Sequence, residues 1–410
     1  MRVVVIGGGV IGLTSAYRLV RAGAEVTLID AREMGQGASE VNAGWVCPAE
    51  SGPVPAPGMV SQALRWMLRR DSPLYVRPSL DPSFLRFMLA MARHCNRADY
   101  RAGMQALVRL SEGTMDELDA YRDDGLAFEM HAQGLLMAYL SAAKLDGHLR
   151  DIDIAESAGL EPQLLRGDAV REREPALADR VHGGVYYPHE RHLDPAALGQ
   201  ALRDRCAELG VELLEGAPLG EVERVGSRVV AVRAGEGRLQ AEAFLLAAGA
   251  WSGMLSQGFG ASLPVRPGKG YSLDLPPIEL RQPTYLTEAK VAVTPLNDRL
   301  RLAGTMEFGS LDEGVDPVRA GAIGRAPSSF LRAWQTPAEQ TLGAGLRPMS
   351  PDGLPLLGRM GGLENAYVST GHAMLGLTLA PSSAAAIASL IMRGEETTAL
   401  AAFAPDRFSR

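Results

Sequence analysis

Residues 2–30 read RVVVIGGGVIGLTSAYRLVRAGAEVTLID, and their order decides the fold. Arg2 to Ile6 is a β-branched run, the form of a parallel strand buried on both faces. Gly7, Gly9 and Gly12 then make GxGxxG. Leu13 to Ala22 has the spacing of a helix, and Gly23 stands where a C-terminal cap is expected. Glu25 to Ile29 is a second strand ending in Asp30. Strand, glycine turn, helix, strand and acid together make a βαβ unit that binds a dinucleotide. Gly7 permits the tight turn, Gly9 lets the backbone approach a pyrophosphate, and Gly12 lets helix and strand pack closely. The amides opening the helix, at Val10 and Ile11, receive phosphate charge. Asp30 accepts from the ribose hydroxyls, which argues against a 2′-phosphate and so against NADP.

The whole chain has 410 residues, room for two or three domains. Apolar types at 46% and charged types at 22% are ordinary globular usage and exclude a disordered or collagenous chain. Three cysteines, Cys47, Cys95 and Cys206, fit neither a zinc site nor a CxxC pair nor an even disulfide framework, so a reducing cytosol is expected. A net charge of −7 offers no bulk attraction for nucleic acid. Lysine occurs only at Lys144, Lys269 and Lys290, so arginine supplies the other 38 of 41 basic residues. An arginine is therefore informative only in a specific context. Met1 to Gly12 reads as buried strand and turn rather than signal peptide. Asn365 to Met392 carries no Asp, Glu, Lys or Arg and is long enough to span a bilayer. Gly371, His372, Gly376 and Pro381 interrupt it, so strand, turn and buried helix are expected and no transmembrane helix.

Further along, Glu212 to Leu214, Glu221 to Val225, Val229 to Arg233 and Leu239 to Leu246 read as short strands, with a hairpin turn at Gly226-Ser227. The last ends in the small-residue turn Ala247-Ala248-Gly249-Ala250-Trp251. At this point the chain resembles the D-amino-acid oxidase superfamily of FAD enzymes, and most of all its bacterial D-amino-acid dehydrogenase branch. The resemblance runs over nearly the whole chain. It rests on the opening motif, GASEVNAGWVCP (37–48), EPAL (174–177), HLDPAAL (192–198), RPGKGYSL (266–273), AGTMEF (303–308), GLRPMSPDGLPLLG (345–358) and STGHAMLGLTLAP (369–381).

The resemblance implies an α/β fold with an α+β second domain. A Rossmann-type FAD-binding domain, made of residues 1–52, 166–262 and 338–410, is interleaved with an antiparallel-sheet substrate domain, residues 53–165 and 263–337. Val291 to Thr294 and Leu300 to Ala303 around Asn297-Asp298 read as a hairpin in the latter. FAD would be held noncovalently, because no cysteine stands near Arg347 where relatives of the sarcosine type form a covalent link. Its contacts would come from Gly7, Gly9, Val10, Ile11, Gly12, Asp30, Ala31 and Arg32. The loop residues Gly37, Ser39, Asn42, Ala43, Gly44, Trp45 and Val46 would follow, then Gly249 and Trp251. Gly371, His372, Met374, Leu375 and Gly376 would complete the set from the turn that opens the last helix. That helix end would stabilise the negative charge of reduced flavin. For His372 a flavin contact and a satisfied turn histidine both stand. No metal site is expected.

Arg347 is the candidate for the substrate carboxylate, since a guanidinium binds one bidentately and related oxidases use the arginine of GLRP so. Tyr271 and Met306 are expected to line the substrate face, against the plainer readings of strand tyrosine and core methionine. Lys269 reads as a solvated loop lysine. Against glycine oxidase two groups are changed: Met374 stands at a second carboxylate-binding arginine, and a tyrosine is replaced near Ala292. Tyr271 or Tyr285 would compensate.

The activity implied is oxidative deamination of a D-amino acid or cyclic imino acid, with hydride transfer from Cα to flavin N5. Sarcosine, proline or hydroxyproline oxidation, and service as a flavin-bearing subunit of a complex, stand as alternatives. The acceptor is left between quinone and oxygen. Residues 59–93 include RWMLRRDSPLYVRP and FLRFMLAMAR, whose mixed basic and apolar content suits either a membrane surface or two ordinary core helices. A cytoplasmic protein is expected, with peripheral contact at the cytoplasmic face of a membrane and homo-oligomerisation both open.

Overall fold

The computed structural model describes residues 1–67, 69–395 and 398–408. Its first sheet has six strands, in the order Glu212–Leu214, Glu25–Ile29, Arg2–Ile6, Ala243–Leu246, Ala366–Thr370 and Leu356–Arg359. The first five run parallel and the last antiparallel. Arg2–Ile6 lies inside it, and alternation along the strand feeds two cores. Val3 and Val5 join Leu13, Ala16 and Leu28 on one face, while Val4 and Ile6 join Val229, Phe244 and Val368 on the other. A strand buried twice needs apolar residues at every position, which is why the run is unbroken.

The helices Val10–Arg21 and Gly376–Arg393 pack together on one face. The second is long and apolar enough to cross a membrane, but it contributes Leu379, Ala380, Ile387 and Leu390 to the core. Beyond the sheet lies a meander of Leu219–Val225, Arg228–Ala234 and Gly237–Leu239. Two expectations change here. Glu212–Leu214 edges the main sheet instead of opening the meander. The run from Leu239 to Leu246 is two strands, broken where the Glu242 amide donates to the Arg2 carbonyl (3.0 Å) and the chain changes sheets.

The second domain is a nine-stranded mixed sheet. Thr341–Met349 forms one edge, followed by Arg266–Leu275, Leu300–Phe308, Val291–Pro295, Thr284–Leu286, Leu135–Tyr139, Gly183–Tyr187 and Gln163–Arg166, with Leu74–Val76 beside Leu300–Phe308. The expected hairpin is present, with Asn297-Asp298 at its tip. The fold is thus the α/β two-domain arrangement that the sequence implies, but the second sheet is mixed rather than antiparallel, since Thr284–Leu286 runs parallel to Leu135–Tyr139 and Leu74–Val76 to Leu300–Phe308. The boundaries move, however. Gln163–Arg166, Gly183–Tyr187 and Thr341–Met349 belong to the large sheet, so the nucleotide-domain pieces starting at 166 and 338 begin too early. Pro348 sits on the sheet's edge strand, where a missing N–H is tolerated.

Candidate active site

A cavity of about 1280 Å³ runs along the seam between the two sheets. Its nucleotide end is built by the opening motif. Gly7 has φ +111°, and a β-carbon there would lie 2.5 Å from the Ala247 carbonyl. A β-carbon on Gly12 would overlap the Gly7 carbonyl. Gly12 therefore lies behind the wall, setting helix against strand, while Gly7, Gly9, Val10 and Ile11 line it. Asp30 is pinned at its strand end by the Gly8 amide (2.6 Å) and the Arg32 amide (2.8 Å) and still faces the cavity. Arg32 lies 4.9 Å over the Trp251 ring and donates to Glu313 (2.8 Å) across the domain seam. Ala31 and Gly249 complete this end.

The loop after Gly37 runs along the cavity, and its side chains hold its own shape. Asn42 donates to the carbonyls of Ala38 (3.0 Å) and Ser39 (2.8 Å) and accepts from Gly44 N–H (2.8 Å). Ser39 Oγ accepts from the Val10 amide (2.9 Å), tying loop to helix end. Thr294 Oγ1 joins the Ala43 carbonyl and the Trp45 indole, each at 2.8 Å, and so stitches the loop to the second sheet. Gly37, Ser39, Asn42, Ala43 and Trp45 line the cavity. Gly44 and Val46 face away, since a β-carbon on Gly44 would strike the Leu193 carbonyl and Val46 is fully buried in the core. Cys47 also lies on the wall, but burial pushes its thiol well above the ordinary value, which leaves it inert.

His372, Met374, Leu375 and Gly376 form the opposite end of this wall. Gly371 makes the turn (φ +80°) from behind it. Gly376 packs against Val10, so the amino ends of two long helices meet, neither with an acid in its first turn. Such ends favour negative charge. His372 Nε2 is bonded to Ser383 Oγ (3.1 Å), and Nδ1 is buried with no partner among the described residues. Burial holds the ring neutral, its pKa pulled down to about 3. It is a core-anchored turn histidine that also touches the cavity.

The far end belongs to the second sheet. Arg347 Nη1 donates to the Thr305 carbonyl (2.7 Å), and no carboxylate pairs with it among the described residues. Burial draws its pKa down to about 10, so it stays charged at neutral pH. Its space is provided by Gly270, where a β-carbon would overlap the guanidinium. Thr305 lies in a bulge of Leu300–Phe308, between the Tyr271–Gly304 and Lys269–Glu307 pairs, with φ +65°. That angle is unusual for a β-branched residue, and it turns the carbonyl to the arginine. Thr305→Gly is expected to stabilise the fold by about 1 kcal/mol, read from denaturant titration. A loss of stability would show that the angle carries no cost.

Met306 lines the cavity, with its sulfur 4.0 Å from Arg347 Nη1. Tyr271 does not. Gly268 and Gly270 face Met306 and Arg347, so the alternate residues Lys269 and Tyr271 point to the other side of the sheet. There Tyr271 is buried in the second core and donates to Glu307 (2.8 Å). Lys269 is no loop lysine: it is buried in the strand and donates to the Gly314 carbonyl (2.8 Å) and Asp312 (3.3 Å). Of Tyr271 and Tyr285, it is Tyr285 that lies on the cavity wall, in the electrostatic field of Arg347, and burial keeps its hydroxyl protonated. Glu50 and Lys290 line the same end and carried no sequence motif.

These residues fit FAD. Asp30 would hold the ribose, the Val10 helix end the pyrophosphate, and the Gly376 helix end the flavin, with Arg347 beyond it. The family model for FAD dependent oxidoreductases matches residues 2–390. A D-amino acid dehydrogenase of Rhizorhabdus wittichii is 35% identical over 401 residues, 95% of this chain and 96% of that one. Another, from Cereibacter sphaeroides, is 36% identical over 400 residues, 95% and 92% of the two chains. Among solved structures, glycine oxidase from Geobacillus kaustophilus superposes with a TM-score of 0.78 at 22% identity, over 99% of both chains. L-proline dehydrogenase from P. horikoshii gives 0.75 at 20% identity, over 100% and 98%. The structural likeness establishes the fold, and the family match takes in both the glycine motif and the strand of Arg347, so the chain belongs to the FAD-dependent oxidoreductases.

Proposed function

We propose that this flavoenzyme oxidises D-amino acids or cyclic imino acids to imines, which water converts to 2-oxo acids. The observation that carries the reading is Arg347, a half-buried guanidinium without an acidic partner among the described residues, opening into the cavity that holds the dinucleotide motif. An unpaired buried charge is costly, and a substrate carboxylate satisfies it. Bound FAD supplies a two-electron acceptor for the Cα–H. Arg347 fixes the carboxylate bidentately, Thr305 fixes Arg347, and Tyr285 offers a further donor nearby. The names of the curated relatives favour D substrates. Anaerobic bleaching of the flavin by a panel of D-amino acids, L-amino acids, D-hydroxyproline, sarcosine and proline tests it. Bleaching by sarcosine or L-proline alone would move the protein to secondary-amine oxidation. A free-standing yellow protein with turnover would dismiss the role of a mere subunit.

For the acceptor, a quinone drawn from a lipid surface on the cytoplasmic side is the reading we favour over oxygen. Its support is a cluster of exposed apolar side chains on residues 60–89: Val60, Leu64, Met67, Leu80, Leu85 and Leu89, with Leu80 94% exposed. Val60, Leu64 and Met67 also border the cavity. Arg65, Arg69 and Arg86 stand among them, as suits contact with an anionic lipid face. Replacing Leu85 and Leu89 by Glu is expected to weaken vesicle binding and quinone turnover at least about tenfold, since each leucine buried in the lipid contributes about 1.5–3 kcal/mol. Flavin reduction by substrate should be unchanged. Equal flotation with anionic vesicles by both proteins would reject the contact.

A further inference from the structure

The substrate end of the cavity contains a carboxylate that the reaction as described leaves idle. Glu50 closes the short turn Pro48–Glu50, directly after the loop that runs along the cavity, and lines the wall. Its carboxylate accepts no hydrogen bond among the described residues; burial and the charge of Lys290 are what act on it. The other acids on that wall are committed. Glu288 accepts from the Leu140 and Ser141 amides and the Thr287 hydroxyl. Glu313 is bonded by Arg32, and Asp30 by two backbone amides.

The surroundings suit a proton acceptor. Tyr100, Tyr139 and Tyr285 share the wall with Glu50, and His148 and Lys290 lie on it too. Tyr187, Cys47 and Glu190 lie close to Glu50, and of these Tyr187 and Glu190 are off the wall. Lys290 sits 5.7 Å over the Tyr285 ring, and the charges of Glu50 and Arg347 both act on Tyr285. Glu50, Tyr285 and Arg347 thus line one cavity, and the charges of the two outer groups both reach the tyrosine. Burial raises the Glu50 pKa to about 7, and Lys290 restrains the rise. Glu190 is raised to about 8, but it is buried off the wall and accepts from the Ala49 amide (3.3 Å).

An amino acid arrives as a zwitterion, and oxidation at Cα needs the lone pair of the amine. We propose that Glu50 is the base that takes the ammonium proton of a substrate whose carboxylate rests on Arg347. One N–H bond breaks and leaves its electron pair on nitrogen, while an O–H bond forms on Glu50. The lone pair then forms the C=N bond as the two electrons of Cα–H pass to FAD. Glu50 returns its proton to solvent after the imine departs. This role rests on the amino-acid reading above and deepens it.

The test is anaerobic single-turnover flavin reduction across pH 5.5 to 9.5, with the best substrate of the panel. A base must be deprotonated, so the wild-type rate should fall as pH drops through about 7. Glu50→Gln should be about 100-fold slower at pH 7. It should lose that limb and recover only at alkaline pH, where free substrate sheds its own proton. Lys290→Met removes a positive charge near Glu50, so its limb should move to higher pH. A second readout needs no turnover. Binding of 2-aminoisobutyrate, which has no Cα–H, to oxidised holoenzyme should raise the infrared band of a protonated carboxyl, and Glu50→Gln should lack it. Should Glu50→Gln fail to retain FAD, Glu50→Asp and Lys290→Met carry the test through displacement of the limb. A wild-type pH profile in Glu50→Gln, or a uniform loss at every pH, overturns the role of Glu50 while leaving the function intact. Wild-type enzyme whose flavin no amino acid reduces would overturn the functional reading itself.

Discussion

Arg347→Ala is expected to raise KM for amino-acid substrates about 100- to 1000-fold and leave FAD binding unchanged. A buried bidentate guanidinium–carboxylate pair lost from one side costs about 3–4 kcal/mol, and each 1.4 kcal/mol is tenfold. The sign for stability is opposite. The guanidinium has no acidic partner among the described residues, so removing it relieves a buried charge. Against this stands the lost donor to the Thr305 carbonyl, about 1 kcal/mol. The variant should therefore melt within a few degrees of wild type while losing its substrate. Arg347→Lys should recover only part of the affinity, because a point charge cannot match both carboxylate oxygens. Steady-state kinetics beside a thermal melt checks both halves. Unchanged KM would remove the arginine from the substrate site.

Gly12→Ala should act at the other end, on the ability to hold the cofactor at all. The added methyl would overlap the backbone carbonyl of Gly7, which no change of rotamer relieves. Helix and strand must separate, and they carry Leu13, Ala16 and Leu28, all fully buried. The cost should exceed about 3 kcal/mol, a large part of the 5–15 kcal/mol by which a fold is stable. The purified variant is expected to lack the yellow colour or to be insoluble. Gly361→Ala is the control: nothing lies within 4 Å and its φ is ordinary, so a change within about 0.5 kcal/mol is expected. The ratio of flavin to protein absorbance distinguishes the two.

The nucleotide end was legible because its demands are local. Positive φ at Gly7 and close packing at Gly12 arise from residues a few positions apart, and an acid at the end of the neighbouring strand completes the pattern. Arg347 was legible through its motif. Tyr271 was not, because a strand covered on both faces gives no polarity to show which side meets the cavity. The clue lay in its neighbours: Gly268 and Gly270 mark the face with room for Met306 and Arg347. Lys269 misled for a related reason, since its partners Asp312 and Gly314 come from a distant loop. Glu50 and Lys290 belong to no motif and meet only when 240 residues of chain fold between them.

The order of strands in the six-stranded sheet also bears on how the protein is made. Arg2–Ile6 and its neighbour Ala243–Leu246 lie more than 230 residues apart in the chain, and Ala366–Thr370 follows later still. Until then one edge of the earliest strand is bare, and such edges invite pairing with other chains. The nucleotide domain therefore closes only once the Gly376–Arg393 helix has been made and can cover it. Flavin capture in this topology waits on that helix, and until it forms an apolar strand made before its partners stays uncovered.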